Sequence, residues 1–465
     1  MKKSLIKQLA LLVAKFINVA AVTAILVLCW QLFYADSLGV TEPVRYVLAI
    51  GVIYFMAFIV LGRVYDVFAI GSNRISQIVY SQSLTMLILA VAFYFVMSLL
   101  TFTLLDVVPL LIALVVQFVW CVLWSYLVNR LYYCVSPPRY TAIIYQDESE
   151  LKKLEEIRNF KSKFKVEKYI RCDEDIDVVL EEIADAEVVF VTKLDIDKRN
   201  EVCKYCIETD KQCYILPRVG DVILAGADNM HTFSVPFMRV KRSSPNLEYL
   251  FLKRAFDIVA SLLAIILLSP FMLITALAIK LYDGGPVLYK QVRLTKNYRE
   301  FNVLKFRSMR TDAEKDGVAR LSTEHDDRIT PIGKLIRKIR FDELPQLFNI
   351  LKGDMTIVGP RPERPEIAVQ YEDEIPSFGL RLQVKAGLTG YAQVYGRYNT
   401  EPYDKLKMDL MYINNMSIWE DLRLIFATVK ILFVPESTAG IADGQTTAST
   451  SEVAEEEASS VEEKV

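Results

Sequence analysis

Hydrophobic length is what most constrains this chain. Four segments, Phe16 to Phe33, Tyr46 to Gly62, Ile78 to Leu105 and Val107 to Asn129, are apolar over the stretch of about 20 residues that a helix needs to cross a bilayer. They explain a hydrophobic fraction of 53% and a mean hydropathy of +0.27, both high for a soluble protein. The first is not a cleavable signal peptide, because three more spans follow and no small-residue cleavage site ends it. Basic residues set the orientation. Lys2, Lys3, Lys7 and Lys15 precede the first span, Arg63 and Arg74 lie between the second and third, and Arg130 and Arg139 follow the fourth. The alternate loops hold Asp36, Glu42, Asp106 and only Arg45. The expectation is a four-helix transmembrane anchor over 1–135, with both the N-terminus and everything after the fourth span in the cytoplasm. No ionisable residue lies deep in any span, which argues for an anchor and against a transporter's translocation path.

From Tyr140 the pattern changes. "YTAIIY", "VEKYI", "EVVFVT" and "QCYIL" read as short strands, and "ESELKKLEEIRNF" and "DIDVVLEEIAD" as the helices between them. That alternation predicts a small parallel α/β domain, a degenerate Rossmann-like unit over 136–245. The loop after its first strand reads "IIYQDESE", and no glycine occurs between Gly71 and Gly220, so a dinucleotide loop is excluded. Seven cysteines are scattered, and Cys203 and Cys206 form a C-x-x-C without the second pair or nearby histidine of a zinc site. They read as reduced thiols of a cytosol-facing protein.

A fifth apolar run, Ile258 to Ile279 within "KRAFDIVASLLAIILLSPFMLITALAIK", has Lys253 and Arg254 on one side and Lys280 on the other, so flanking charge gives it no direction. Ser269-Pro270 falls in its middle. Proline removes a backbone donor and clashes with the preceding turn, and the serine hydroxyl can satisfy the carbonyl left free. The expectation is a re-entrant helix over 253–280, broken at Ser269-Pro270, that keeps the following domain cytoplasmic.

From Pro286 to Arg364 there are 17 Lys and Arg against 11 Asp and Glu. Such a surface attracts lipid head groups and phosphorylated substrates; the membrane anchor and a pI near 6.0 argue against nucleic acid. "GGPVLYKQVRLTKNYREFNVLKFRSMR" reads as a strand pair. In "ITPIGKLIRKIRFDELPQLFNIL", Thr330 as N-cap and Pro331 at the first position open a helix. Ile332, Leu335, Ile336 and Ile339 share a face, as in an interfacial helix. It delivers Asp342 and Glu343, with Arg340 just before them and Pro345 stopping the helix. Adjacent helical carboxylates point about 100° apart, so they do not flank one scissile bond as a glycosidase pair does. They suit a division of labour, one attacking phosphorus and the other binding Mg²⁺. Gly353 and Gly359 suggest close backbone approach, and Arg361 and Arg364 offer forks for phosphate oxygens.

Taken in order, "KRAFDIVAS…SP", "GGPVLYKQVR", "LKFRSM", "RFDELPQLFNILKGDMTIVGPRPE", "VKAGLTGYAQVYGR" and "DLMYINNMSIWEDLRLI" resemble the bacterial sugar transferase family, the polyprenyl-phosphate phosphoglycosyl transferases with a monotopic catalytic core. The match runs over roughly 250 to 436, and the spans with the degenerate α/β domain resemble the long-form members that initiate exopolysaccharide or capsule synthesis. The resemblance implies transfer of a sugar-1-phosphate from a UDP-sugar to undecaprenyl phosphate, with Mg²⁺ and a covalent enzyme phosphosugar. It implies Asp342 as nucleophile and Glu343 as its partner toward the metal. Lys305, Arg307 and Arg361 would contact phosphates, and Asp409 would stand near the site. Where members carry a glycine-rich stretch, this chain has "LTKNYRE".

The catalytic domain is therefore expected over 246–436. A second candidate interfacial helix is "SIWEDLRLIFATVKILF", with Trp419, Leu422, Ile425, Phe426 and Val429 on one face; core packing explains it equally well. The acidic tail, 437–465, has the composition of disorder. An inert membrane-anchored scaffold is the alternative function. The sugar, the oligomeric state and the polysaccharide-assembly partners are left open.

Overall fold

A computed structural model describes residues 2–35, 43–71, 73–147, 151, 163–173, 175–230, 235–243, 245–311, 313, 326, 328–396 and 400–431. The helix expected over "ESELKKLEEIRNF", apart from Leu151, both histidines (His231 and His325) and the acidic tail lie outside these residues. The chain divides into two compact units, Met1–Pro217 and Arg218–Val465.

The first unit begins with helices α1 (Lys2–Phe33), α2 (Pro43–Val64), α3 (Ile75–Thr101) and α4 (Val108–Val135), each long and apolar enough to cross a membrane. Neutral amides link them. Asn18 donates to Gln82 (3.1 Å), Gln82 to Ser125 (3.1 Å) and Trp120 to Asn18 (3.1 Å), while Gln117 donates to the Val22 carbonyl (2.9 Å). In an apolar bundle such interhelical bonds fix register without placing a charge in hydrocarbon.

A four-stranded parallel sheet follows, in the order β2 (Phe164–Arg171), β1 (Arg139–Tyr145), β3 (Val188–Val191), β4 (Gln212–Ile215). All four expected strands are present. Ala142, Ile144, Ile170, Val189 and Val191 share a core with Val179 and Ile183 near α5 (Ile176–Glu182) and with Val202 and Cys206 of α6 (Ile196–Glu208).

The second unit opens with α7 (Val219–Ala225) and a hairpin of β5 (Asp228–Met230) and β6 (Phe237–Arg239). Its long helix α8 runs from Leu247 to Asp283, also long and apolar enough to cross a membrane. Pro270 lies inside it, so the expected break is not an end of the helix. The missing proline N–H would have bonded the Ile266 carbonyl, and the Ser269 hydroxyl donates to that carbonyl instead (2.8 Å).

Hairpin β7 (Leu288–Thr295) and β8 (Arg299–Phe306) comes next. Helix α9 (Pro331–Lys338) is capped by Thr330, whose side chain accepts from Gly333 N (2.9 Å). Then come α10 (Gln346–Lys352), β9 (Thr356–Val358), α11 (Pro365–Glu374), β10 (Gly387–Thr389) paired in parallel with β9, α12 (Tyr391–Tyr395), α13 (Pro402–Asn414) and α14 (Ile418–Ile431).

Helix α8 is docked along its whole length. Lys253 meets Asp421 at 2.7 Å, and Arg254 caps α10 through the Ile350 and Leu351 carbonyls (2.6 and 2.7 Å). Asp257 accepts from Thr356 Oγ1 (2.6 Å) and Ile357 N (3.1 Å). Met272, Ala276 and Ile279 pack with Phe306, Ile332, Ile336 and Phe341, and Asp283 pairs with Arg307. The apolar face of α9 is therefore split: Ile332 and Ile336 turn inward, while Leu335 and Ile339 are exposed. The inward stripe of α14 is Asp421, Leu424 and Ala427, with Trp419 outside. Tyr249, Tyr412 and Lys253 hydrogen-bond Asp421, which lets a carboxylate occupy a buried position that an apolar pattern does not reveal.

Candidate active site

Asp342 and Glu343 do not sit on the end of an α-helix. Helix α9 stops at Lys338, Arg340 takes a left-handed conformation (φ 55°), and Phe341–Glu343 form a single 3₁₀ turn before α10. A non-glycine residue held there is uncommon and costs backbone strain. The surroundings over-determine it: Phe341 and Leu344 pack beneath the turn with Ile336, and α10 is tied to β8 by Asn349, which accepts from Leu304 N (2.9 Å) and donates to the Asn302 carbonyl (2.8 Å).

Lys305 reaches the turn from β8. Alternation along the strand puts Phe301, Val303 and Lys305 on the same inward face, so this lysine is not the solvated cation of an exposed strand pair. Its Nζ donates to Glu343 Oε1 at 2.9 Å, and Arg361 Nη2 donates to the same oxygen at 3.0 Å. Burial alone would raise the Glu343 carboxyl, but Lys305, Arg361 and Arg340 outweigh it and hold the group well below the usual carboxylate range. Asp342 has the opposite fate. Burial, reinforced by the Glu343 charge, pushes its carboxyl up to about 6 against the pull of Lys305, Arg337 and Arg361. Among the described residues its carboxylate accepts no hydrogen bond. One acid is thus held by two cations on a single oxygen and kept ionised, and its neighbour is left unengaged.

The "GPRPE" loop that carries Arg361 is pinned by its backbone. Gly359 N donates to Thr389 O and Gly387 N to Pro360 O, both at 2.8 Å. A Cβ on Gly359 would lie 2.5 Å from the Lys385 carbonyl, so this glycine permits two strands to approach each other. Gly353 (φ 96°) closes the C-terminus of α10. Neither glycine is explained by a ligand.

The remaining expected residues are distributed. Arg307 is buried after β8, paired with Asp283, and among the described residues its Nε and Nη1 have no hydrogen-bond partner. Arg364 heads α11. Asp409 is 1% exposed, and its Oδ2 accepts from Arg381 Nε (2.8 Å) and lies 2.7 Å from Nη2. Ser269 and Pro270 lie in α8, where the next residue, Phe271, meets Phe341 edge to face (ring centroids 6.5 Å) one residue before Asp342.

Sequence reasoning did not single out Arg293, Arg337, Glu363 or Arg381. Arg293 donates to the Pro362 carbonyl at 2.9 Å, and Glu363 lies between Arg293 (3.8 Å) and Arg381 (3.5 Å). Arg337 lies in the last turn of α9, read as an interfacial helix, and nothing in that pattern signalled that its charge acts on Asp342.

The site is an apolar helix docked on a folded unit that presents one unengaged carboxylate among cations. The family model described as bacterial sugar transferase matches residues 248–435. The exopolysaccharide production protein PSS of Rhizobium leguminosarum bv. phaseoli is 46% identical over 200 residues, 41% of this chain and 98% of that protein. This chain belongs to the bacterial sugar transferase family. The UDP-N-acetylgalactosamine-undecaprenyl-phosphate N-acetylgalactosaminephosphotransferase of Aeromonas hydrophila is 44% identical over 40% of this chain and 45% of its own length. The UDP-glucose:undecaprenyl-phosphate glucose-1-phosphate transferase of Escherichia coli K12 is 42% identical over 38% and 39%. The match thus spans less than half the length of these two relatives.

Proposed function

We propose that the protein transfers a sugar-1-phosphate from a UDP-sugar to undecaprenyl phosphate, releasing UMP, as the first membrane step of an exopolysaccharide, capsule or O-antigen pathway. The observation that carries this reading is the unengaged Asp342 carboxylate between Arg337, Lys305 and Arg361. An oxygen of Asp342 attacks the phosphorus next to the sugar. The bond from that phosphorus to the bridging oxygen breaks, and UMP leaves with the electron pair. The lipid phosphate oxygen then attacks the same phosphorus and returns the carboxylate. One phosphoanhydride replaces another, so the exchange is nearly neutral in energy. Lys305 and Arg361 hold Glu343 and offer charge to the phosphates as they rearrange.

The donor set fits Mg²⁺ held jointly with a diphosphate. Both hydrogen bonds to Glu343 fall on Oε1, leaving Oε2 and the Asp342 oxygens as hard donors. No cluster of three or more His, Cys, Asp or Glu occurs among the described residues, and Mg²⁺ is commonly held by one or two carboxylates plus substrate phosphate. When bound, the ion neutralises diphosphate charge.

Docking of α8 supports a monotopic, re-entrant arrangement. The helix would be about 55 Å long at 1.5 Å per residue if straight, yet residues near both ends contact one unit that carries charged partners at each (Asp421 and Arg307). Such contacts at both ends are what a helix that stays on one side of a bilayer would make. Exposed Leu263, Ile266, Leu267, Leu273 and Ile274 are left to face lipid, with α1 to α4 as the transmembrane anchor and the catalytic unit cytoplasmic. A cysteine placed near Asp342 should then resist an impermeant thiol reagent in intact cells.

The function is tested by incubating the purified protein with Mg²⁺, undecaprenyl phosphate and each radiolabelled UDP-sugar. Labelled lipid with equimolar UMP is expected from at least one sugar, with glucose, galactose and N-acetylgalactosamine the first to try because relatives are named for them. No labelled lipid from any common UDP-sugar would leave an inert scaffold as the better reading.

A further inference from the structure

A buried ion pair behind the site has no role in the chemistry just described. Arg381 and Asp409 are 3% and 1% exposed. Withdrawing such a pair from water costs several kcal/mol per ion in general, and apolar substitutes of similar volume often stabilise a fold equally well. Stability alone is therefore a weak reason to keep it. What distinguishes this pair is a further bond that the guanidinium makes. Arg381 Nη2 also donates to the main-chain carbonyl of Arg361 at 2.9 Å, while Nη1 faces Glu363 at 3.5 Å. On the other side of the same loop, Arg293 Nη1 donates to the next carbonyl, Pro362 O, at 2.9 Å and faces Glu363 at 3.8 Å. Leu294 N donates to Glu363 O at 3.0 Å.

Two planar guanidinium groups thus hold consecutive carbonyls of the loop, with Glu363 between them as the shared counter-charge. The residue whose carbonyl Arg381 holds is the one whose side chain grips Glu343. Lysine cannot reproduce this, because one ammonium does not supply a fixed fork to Asp409 and a separate donor to a carbonyl.

We propose that Arg381, oriented by Asp409, is a positioning residue: it fixes the main chain at Arg361 so that the Arg361 side chain stays on Glu343 beside the reacting carboxylate. Asp409 accordingly acts from behind the loop and does not contact phosphate. This inference rests on the transferase reading.

The test is a double-mutant cycle on the full-length protein with the sugar that gives labelled lipid. Arg381→Lys should lower kcat by about 100-fold, the scale of a misplacement of roughly 1 Å, with KM for the UDP-sugar changed much less. Arg361→Ala should mask it, the double variant being no slower than Arg361→Ala alone. Losses that multiply, or a normal kcat in Arg381→Lys, overturn the proposal. If Arg381→Lys does not fold, Arg381→Met/Asp409→Leu removes both buried charges and should show the same masking. A structure of either folded variant reads the positioning whatever the substrate proves to be. Arg361 released from Glu343 supports the proposal, and the 3.0 Å contact retained contradicts it. Wild-type protein that makes no labelled lipid refutes the transferase reading alone, and the structural result still decides the positioning claim.

Discussion

Replacing Asp342 by asparagine should abolish transfer and make the protein more stable. The folded-state carboxyl is pushed up to about 6, above the usual value of about 3.9 for an aspartate, so at neutral pH ionised Asp342 opposes folding. About two units at 1.36 kcal/mol each give about 3 kcal/mol, and partial solvent exposure reduces this to about 2–3 kcal/mol. The penalty is absent below about pH 3.9, where both folded and unfolded chains are protonated. It grows as pH rises and is complete above about 6, because between those values the folded state binds more protons. Asparagine keeps the size of the side chain and cannot ionise. The assay is thermal unfolding of both proteins in detergent with EDTA, at pH 7.5, 5.5 and 4. At pH 7.5 Asp342→Asn should melt higher by roughly 4–12 °C, taking about 2–4 °C per kcal/mol for a unit of this size. The gap should shrink at pH 5.5 and be almost gone at pH 4. A variant that melts lower than wild type, or a gap that ignores pH, would refute the argument that Asp342 is an unengaged, desolvated charge.

Three further outcomes follow from the same contacts. If ionised Asp342 is the nucleophile, kcat should be level above pH 7 and fall about tenfold per unit below 6; activity level down to pH 4.5 would contradict this. Gly333→Ala places a Cβ 1.9 Å from the Ser308 backbone carbonyl, so it should destabilise the catalytic unit by about 3 kcal/mol, read as a lowered melting temperature with loss of transfer. Asp257→Ala orphans a buried threonine hydroxyl and the part-buried Ile357 N–H and should cost about 1–3 kcal/mol, seen as easier proteolysis between α8 and β9.

The elements most readable in the sequence were those written in local periodicity. Apolar length located α1 to α4, and short β-branched runs located all four strands of the parallel sheet to within two residues. Ser269-Pro270 read as a break, whereas α8 continues through it with the serine hydroxyl on the Ile266 carbonyl, the bond its chemistry allowed. The site was legible as a dipeptide but not as a geometry. A non-glycine residue at φ 55° ahead of Asp342 has no sequence signature, so the 3₁₀ turn read as a helix end. The glycine-poor "LTKNYRE" hides a similar device. Asn297 and Tyr298 both take positive φ between β7 and β8, stabilised by Arg242 on the Asn297 side chain (2.7 Å) and by Tyr298 on Glu372 (2.8 Å). Arg381 was invisible because its partners, Asp409 and the Arg361 carbonyl, are 28 and 20 residues away. Long-range pairing of charges is not a periodic signal, and one inward-facing lysine on a strand looks like any other lysine until the opposite wall is known.

The central claim is that Asp342 becomes covalently linked to the phosphosugar. The direct measurement omits the lipid acceptor: protein, Mg²⁺ and a UDP-sugar radiolabelled in the sugar are mixed and quenched, and the protein is digested for peptide mapping. The account predicts up to one equivalent of UMP and an acid-stable or rapidly trapped label on the peptide containing Asp342, absent from Asp342→Asn and discharged by undecaprenyl phosphate. UMP formed only when the lipid is present, with no label on the protein at any time, would mean direct transfer between the two substrates and would contradict the nucleophile assigned here.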